Sequence, residues 1–216
     1  MPQVSRCAAH AVEYLHSRGI DYELIDFCIR TGRLYESYPH HNAVFVGKDN
    51  DGQPRYACLR GIGTDFKGEA TGSDKRFSFS IPAEESSQVL YLFESAIDLL
   101  SFAAMAQEDR LPWRSQHLLS LAGVYQPKTN LTERHLPLAL SQYLRDHREI
   151  QTIYLCLDND LAGRSAADAI RQQLAGRYVV LDGFPCQGKD YNDWLCLRKG
   201  LPITRTVSKP ERSMAR

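Results

Sequence analysis

Thr152-Ile153-Tyr154-Leu155-Cys156-Leu157-Asp158-Asn159-Asp160-Leu161-Ala162-Gly163 passes from apolar and β-forming residues to two carboxylates one residue apart. A stretch of small residues and good helix formers opens at once behind them. The pattern predicts a buried strand delivering acids at its carboxyl end, with Asp160 capping the helix that follows. In open α/β sheets that edge is where ligands bind. Two acids two apart on an extended backbone point the same way and repel unless a positive charge lies between them. A divalent cation meets that need, since an all-oxygen donor set suits Mg²⁺ or Mn²⁺. The same residues also read as an Asp-Asn-Asp turn with one aspartate capping the helix, so the rest of the chain has to decide.

Strand and helix alternate around this stretch. Residues 89–93 read as an apolar strand, 95–105 as a helix, 117–121 as a second strand and 137–148 as a helix with Pro137 in its first turn. The third strand is 152–157. A helix over 161–174 follows it, then a fourth strand over 178–181 and a last short helix from Asp190. Such alternation specifies a parallel sheet with right-handed crossovers. Parallel strands put their carboxyl ends on one edge, so acids far apart in sequence can converge there. They are Glu94 after the first strand, Asp98 in the next helix, Asp158 and Asp160 after the third, and Asp190 and Asp193 after the fourth. Without a cation, that many carboxylates would cost stability through mutual repulsion. Metal binding is therefore the favoured reading.

The first third is different. Val4, Cys7, Ala8, Ala11, Val12 and Leu15 recur at helical spacing and predict a helix over 3–17, stopped by Gly19. Asp21 is expected to cap a second short helix ending near Gly32. Residues 43–46 and 56–59 read as a hairpin around 48–52, where Asp49-Asn50-Asp51-Gly52 lacks the other ligands of a calcium loop and reads as a plain turn. A glycine-rich basic loop over 60–76 has no P-loop ending, yet its backbone could approach phosphates, with Arg60, Lys67, Lys75 and Arg76 supplying charge. Residues 82–87 read as a linker. The expected organisation is a smaller α+β module over 1–82, an α/β domain over 88–200 and a disordered basic tail over 204–216.

With 43% hydrophobic and 24% charged residues, the 216-residue chain has the composition of an ordinary globular protein. Its 26 basic and 26 acidic side chains cancel, so any nucleic-acid contact has to come from a local patch. No apolar run approaches membrane-spanning length and no secretion signal stands at the start, which predicts a cytoplasmic protein with no membrane partner. The six scattered cysteines form no Cys-x-x-Cys pair, so no zinc is expected. His40-His41 reads as a surface pair with a structural role.

Glu94 after an apolar strand, Gly123 after the next and Asp158-x-Asp160-x-x-Gly163 after the third resemble the Toprim domain. Bacterial-type primases, type IA and II topoisomerases, recombination mediators and overcoming-lysogenization-defect nucleases share that domain. Gly188-Lys189-Asp190-Tyr191-Asn192-Asp193 is similar to the late motif of the primase branch, so the resemblance covers residues 88–198. Tyr14-Leu15-His16-Ser17-Arg18-Gly19-Ile20, followed by Phe27, resembles the helix pair of a primase's basic subdomain. The hairpin ending in Arg60, with Lys67 and Lys75, is similar to the basic residues that precede Toprim there. The whole chain most resembles the small primase-like Toprim proteins of plasmids and conjugative elements.

The resemblance implies an α/β fold, a Toprim-type parallel β-sheet flanked by helices and preceded by a smaller α+β N-terminal module. It implies Mg²⁺ or Mn²⁺ held by Glu94, Asp158 and Asp160, with Asp98, Asp190 and Asp193 as outer or second-metal ligands. Arg60, Lys67, Lys75 and Arg76 would grip phosphates. Single-stranded DNA and nucleoside triphosphates are the implied partners, with a helicase or another replication or transfer protein beside them. The implied activity is nucleotidyl transfer in the replication or transfer of mobile DNA. Two departures matter: Ser95 stands where primases usually have glycine, and no cysteine-rich zinc module is present. A Toprim-type nuclease and a non-catalytic accessory protein therefore stay open. All of this requires the strand tips to bring Glu94 and the Asp158/Asp160 pair to one ion, with no lysine in its place.

Overall fold

The computed structural model describes residues 1–123 and 135–203, so the expected tail over 204–216 lies outside the described residues. Helix α1 (Ala9–Ser17) starts later than helical spacing predicts. The residues before it are extended: Val4 bridges to Ser37, and the Ser5 amide donates to the Glu36 carbonyl. Pairing with a neighbouring segment overrides the periodicity there, and Val4 stays exposed. Helix α2 (Tyr22–Arg30) follows Asp21 as expected, but the Asp21 carboxylate makes no cap bond. It accepts instead from Lys199 Nζ at 2.7 Å.

Strands β1 (Leu34–Glu36), β2 (Ala43–Lys48), β3 (Pro54–Arg60) and β4 (Lys67–Glu69) form an antiparallel sheet in that order. The β2–β3 hairpin is the expected one. Its turn is a plain turn, in which the Asp49 carboxylate accepts the amides of Asp51 and Gln53. The basic stretch expected to be a loop is in part strand, with Gly68 opposite Leu59. Lys67-Gly68-Glu69 offers no apolar alternation, so its strand character comes only from the free edge of β3.

The second sheet comprises β5 (Ser80–Ile81), β6 (Val89–Phe93), β7 (His117–Ser120), β8 (Thr152–Cys156) and β9 (Val179–Asp182). Its order is β5-β7-β6-β8-β9, parallel throughout except for β5. The connecting helices are α3 (Ala96–Glu108), α4 (Leu138–Asp146), α5 (Leu161–Leu174) and α6 (Tyr191–Lys199). Alternation along the strands sorts two cores. Leu90, Leu92, Ile153 and Leu155 face a cluster with α4 and α5. Tyr91, Phe93, Tyr154 and Cys156 face the other way, toward α3 and α6. That second cluster continues through Phe45 and Phe79 to Leu15 and Leu24, so the N-terminal helices and sheet share a core with the C-terminal half. Burying each such Leu or Phe contributes roughly 1.5–3 kcal/mol.

Of the parallel strands β6 comes first in the chain, with β7 laid on one side of it and β8 on the other. The chain reverses its winding direction between β6 and β8. At such a switch point the crossovers diverge and leave a crevice outside the strand carboxyl ends. No helix among the described residues is long and apolar enough to cross a membrane.

Candidate active site

Glu94 follows β6 and Asp158 stands two residues beyond β8, and the pairing of Phe93 with Cys156 sets their backbones side by side at the crevice. Gly163 allows that approach. A Cβ there would sit 2.1 Å from the Asp158 carbonyl oxygen, so only glycine lets the first turn of α5 close on the strand end. Asp160 caps α5 as predicted, with one oxygen accepting the Gly163 amide at 2.9 Å. On the other side of β6, the Gly123 amide donates to the Glu94 carbonyl at 2.9 Å. Gly123 has φ of 118°, a conformation that side-chain-bearing residues rarely adopt.

The remaining acids are largely committed to holding this edge together. Asp98 is buried; one of its oxygens accepts the Ser95 hydroxyl at 2.5 Å and the other the Asn192 amide at 3.4 Å. Asp190 caps α6 by accepting the Asp193 amide at 2.7 Å, and Asp193 accepts the Lys189 amide at 3.1 Å. Buried Asn192 donates to the Arg18 carbonyl and to Ser101 Oγ, both at 2.9 Å, tying α6 to the end of α1 and to α3. Glu94 and Asp158 accept no such backbone or hydroxyl bond among the described residues, and Asp160 keeps Oδ2 clear of its cap.

Lys189 reaches into that space. Its Nζ lies 2.9 Å from Asp158 Oδ2 and 3.2 Å from Asp160 Oδ2, between the two carboxylates where the sequence reading placed a metal ion. This corrects the expectation that no lysine stands there. The physical cause is the one that predicted a cation: two carboxylates on one edge recruit the nearest positive charge. The Lys189 side chain is 53% exposed, on a flexible stem. Glu94 and Asp98 have no basic side chain at ion-pairing distance among the described residues.

Burial, with Asp158 and Asp98 nearby, pushes the Glu94 carboxyl up to about 8. Burial and the neighbouring Asp190 and Asp158 raise Asp98 to about 7. Burial raises Asp158 as well, against the opposing pull of Lys189. Asp160 goes the other way, lowered by its bond from the Gly163 amide. Ionised together, Glu94, Asp98 and Asp158 would carry an uncompensated excess of negative charge, and the raised values show the fold disfavouring that state when no cation is bound. An oxygen-only set with that excess fits a hard divalent cation. The acids do not converge as tightly as the sequence reading required, however. Among the described residues, the three-donor groups lying within 4.8 Å of one another are His10, Glu36 and His41, and His117, His147 and Glu149.

Arg60, Lys67 and Arg18 line, together with Glu94, Asp158 and Lys189, a cleft of about 840 Å³ between the two sheets. The Nε atoms of Arg18 and Arg60 are buried without hydrogen-bond partners, donors held ready for an acceptor. Burial and the nearby Arg60 lower the Lys67 pKa. Lys75 and Arg76, grouped with them from sequence, do not line this cleft. Lys75 pairs with Glu69 at 2.9 Å, and Arg76 with Asp74 at 2.6 Å. Arg18 stood inside the quoted Tyr14–Ile20 motif without an assigned role. Lys189 stood inside a quoted motif without an assigned role.

Two family models match the chain: one described as a protein of unknown function (DUF3991) over residues 13–86, and one described as Toprim-like over residues 91–195. Residues 91–195 form a Toprim-like domain. The "65 kDa protein" of Zymomonas mobilis subsp. mobilis is 29% identical over 203 residues, 89% of this chain and 32% of that protein. The chain thus spans about a third of that relative. The primase fragment of the bacteriophage T7 primase-helicase protein superposes with a TM-score of 0.57 at 17% identity, over 86% of this chain and 69% of that one. The E. coli primase catalytic core gives 0.53 at 15%, over 90% and 70%. A DnaG primase catalytic domain bound to single-stranded DNA gives 0.55 at 15%, over 91% and 69%. At such identities the likeness concerns the fold: the Toprim-like domain and the module before it are arranged as in primase catalytic cores.

Proposed function

We propose that this protein is a primase-like Toprim protein. It acts on single-stranded DNA and nucleotides by divalent-metal-dependent nucleotidyl transfer, in the replication or transfer of mobile DNA in the cytoplasm. The observation that carries this reading is that Glu94 and Asp158, from adjacent strand ends at the switch point of a Toprim-like sheet, line one cleft with Arg60 and Lys67.

Glu94, Asp158 and Asp160 would hold Mg²⁺ or Mn²⁺, which when bound neutralises polyphosphate charge and favours in-line displacement. Asp98 has both oxygens committed to Ser95 and Asn192, which suits a positioning role more than direct ligation. Asp190 and Asp193 hold the loop that presents Lys189. Arg60, Arg18 and Lys67 bind phosphates from the opposite wall, where buried unpaired guanidinium donors gain most from a charged acceptor. For a cation to be held there, the Lys189 ammonium would have to leave Asp158 and Asp160, and a phosphate oxygen would be its new partner. A helicase or other replication protein is the proposed partner.

The test is incubation of the chain with labelled single strands and Mn²⁺, with and without nucleotides. Extension that requires nucleotides, and is lost when Asp158 and Asp160 are both changed to Asn, is the expected result. Shortening without nucleotides would make the protein a Toprim-type nuclease. Extension undiminished in the double variant would overturn the assignment.

A further inference from the structure

At the edge of the parallel sheet opposite the acidic cleft, three donor side chains from two segments converge. His117 opens β7, while His147 and Glu149 lie in the turn between α4 and β8. His117 Nε2 lies 3.5 Å from Glu149 Oε1, and His147 Nδ1 lies 3.4 Å from the same oxygen. All three donor atoms are within 4.8 Å of one another. A charged hydrogen bond between imidazole and carboxylate settles near 2.7–2.9 Å, so these contacts are too long to be one. Ligands on a tetrahedral ion with bonds of about 2.0–2.1 Å stand roughly 3.3 Å apart. Two of the three separations already match that spacing.

His117 supplies the independent observation. It is 2% exposed, and its Nε2 is buried with no hydrogen-bond partner, aimed at the other two donors. A buried polar nitrogen left unpaired is costly, and such an atom calls for an occupant. Its Nδ1 lies 3.1 Å from the Tyr143 hydroxyl oxygen. With the proton on Nδ1 donated to that oxygen, Nε2 presents its lone pair to the cluster, the outer-sphere arrangement that orients metal-bound histidines. The Ala83 amide donates toward the same Nδ1 at 3.4 Å, a longer contact that a proton on Nδ1 would have to displace. The His147 and Tyr143 rings lie 4.3 Å apart and close one side. The half-exposed Glu149 leaves the other open to water as a fourth ligand.

The second histidine–glutamate group is different. His10 and His41 contact Glu36 Oε1 at 2.9 and 2.5 Å, and the other oxygen accepts the Ala11 amide at 3.0 Å. Its buried carboxylate is satisfied by hydrogen bonds alone, which leave no space for an ion.

We propose that His117, His147 and Glu149 form a transition-metal site, of the nitrogen-and-oxygen type that takes Zn²⁺, which pins the start of β7 to the turn before β8. Imidazole donors select zinc or its neighbours over Mg²⁺, so this site and the acidic cleft differ in the ion they take. The absence of paired cysteines, which argued against zinc in the sequence, has no bearing on a site built from histidines.

The test is calorimetric titration of the chelator-stripped full chain with Zn²⁺, and with Co²⁺ as a spectroscopic substitute, in excess Mg²⁺. One equivalent should bind with micromolar affinity or tighter, and Co²⁺ should show visible d–d absorption. His147→Ala and Glu149→Ala, at positions that reach solvent, should each weaken binding at least about tenfold. The Asp158→Asn/Asp160→Asn variant and His41→Ala should bind as the unmodified chain does. Zn²⁺ should raise the thermal unfolding midpoint of the unmodified chain and leave that of His147→Ala unchanged. Absence of micromolar binding, unaltered binding in both His147→Ala and Glu149→Ala, or loss of binding in the cleft variant or in His41→Ala overturns the proposal.

Discussion

Replacing Glu94 by Gln removes a carboxylate that the fold holds in its protonated form near neutral pH. Burial first, then Asp158 and Asp98, raise this group from an ordinary 4.5 to about 8. Between those two values the native state carries a proton that the unfolded chain has lost, so native stability falls as pH rises through the window. The limiting slope is about 1.4 kcal/mol per pH unit, and the full displacement sets a ceiling of roughly 5 kcal/mol. Water in the open cleft screens part of this, which leaves about 2–3 kcal/mol. Asp98 contributes with the same sign, but it is present in both proteins and largely cancels in the comparison. Urea unfolding in EDTA across pH 5 to 8.5 should therefore show near-equal stability at the acid end. The Gln variant should lead by about 2–3 kcal/mol at the alkaline end. Parallel profiles at every pH would refute the claim that Glu94 faces uncompensated negative charge.

Other consequences follow from the same geometry. Lys189→Ala removes the ammonium that competes for Asp158 and Asp160, so Mn²⁺ affinity without nucleotide should rise about tenfold, a little over 1 kcal/mol. Paramagnetic titration of free Mn²⁺ measures it, and unchanged or weaker binding would mean that Lys189 does not hold the ion's place. Gly163→Ala sets a methyl 2.1 Å from the Asp158 carbonyl, backbone against backbone. Overpacking of about 3 kcal/mol, less roughly 1 kcal/mol of helix propensity gained, predicts a net loss near 2 kcal/mol in denaturant unfolding. A stabilised variant would show that the strand end and α5 are not so close.

The C-terminal sheet was legible because its strands are long apolar runs bounded by turn residues and its helices keep a clean period. Residues 161–174 came out as helix to the residue, and Val89–Phe93 as strand. The Glu94 and Asp158 positions were legible for the same reason, since strand ends in a parallel sheet share an edge. Short elements held by tertiary pairing were not. Val4 carried a helical spacing that its bridge to Ser37 overrides, and Lys67-Gly68-Glu69 became a strand only because β3 offered an open edge. Lys189 escaped for another reason: the sequence shows that two aspartates need a positive partner, but not which of 26 basic side chains supplies it. Lys75 and Arg76 were grouped with Arg60 by proximity in sequence, whereas Glu69 and Asp74 hold them away from the cleft. The pairing of His117 with His147 and Glu149 crosses from one strand to a distant turn, and no spacing in the sequence marks it.

The central claim is that Glu94 and the Asp158/Asp160 pair share a divalent cation, with Lys189 as its replaceable stand-in. Anomalous diffraction from crystals soaked in Mn²⁺ tests it directly. The account predicts a manganese peak bounded by Glu94 and Asp158, with the Lys189 ammonium displaced from both aspartates. A map with no peak in the cleft at millimolar Mn²⁺, and Lys189 still bridging Asp158 and Asp160, would contradict it.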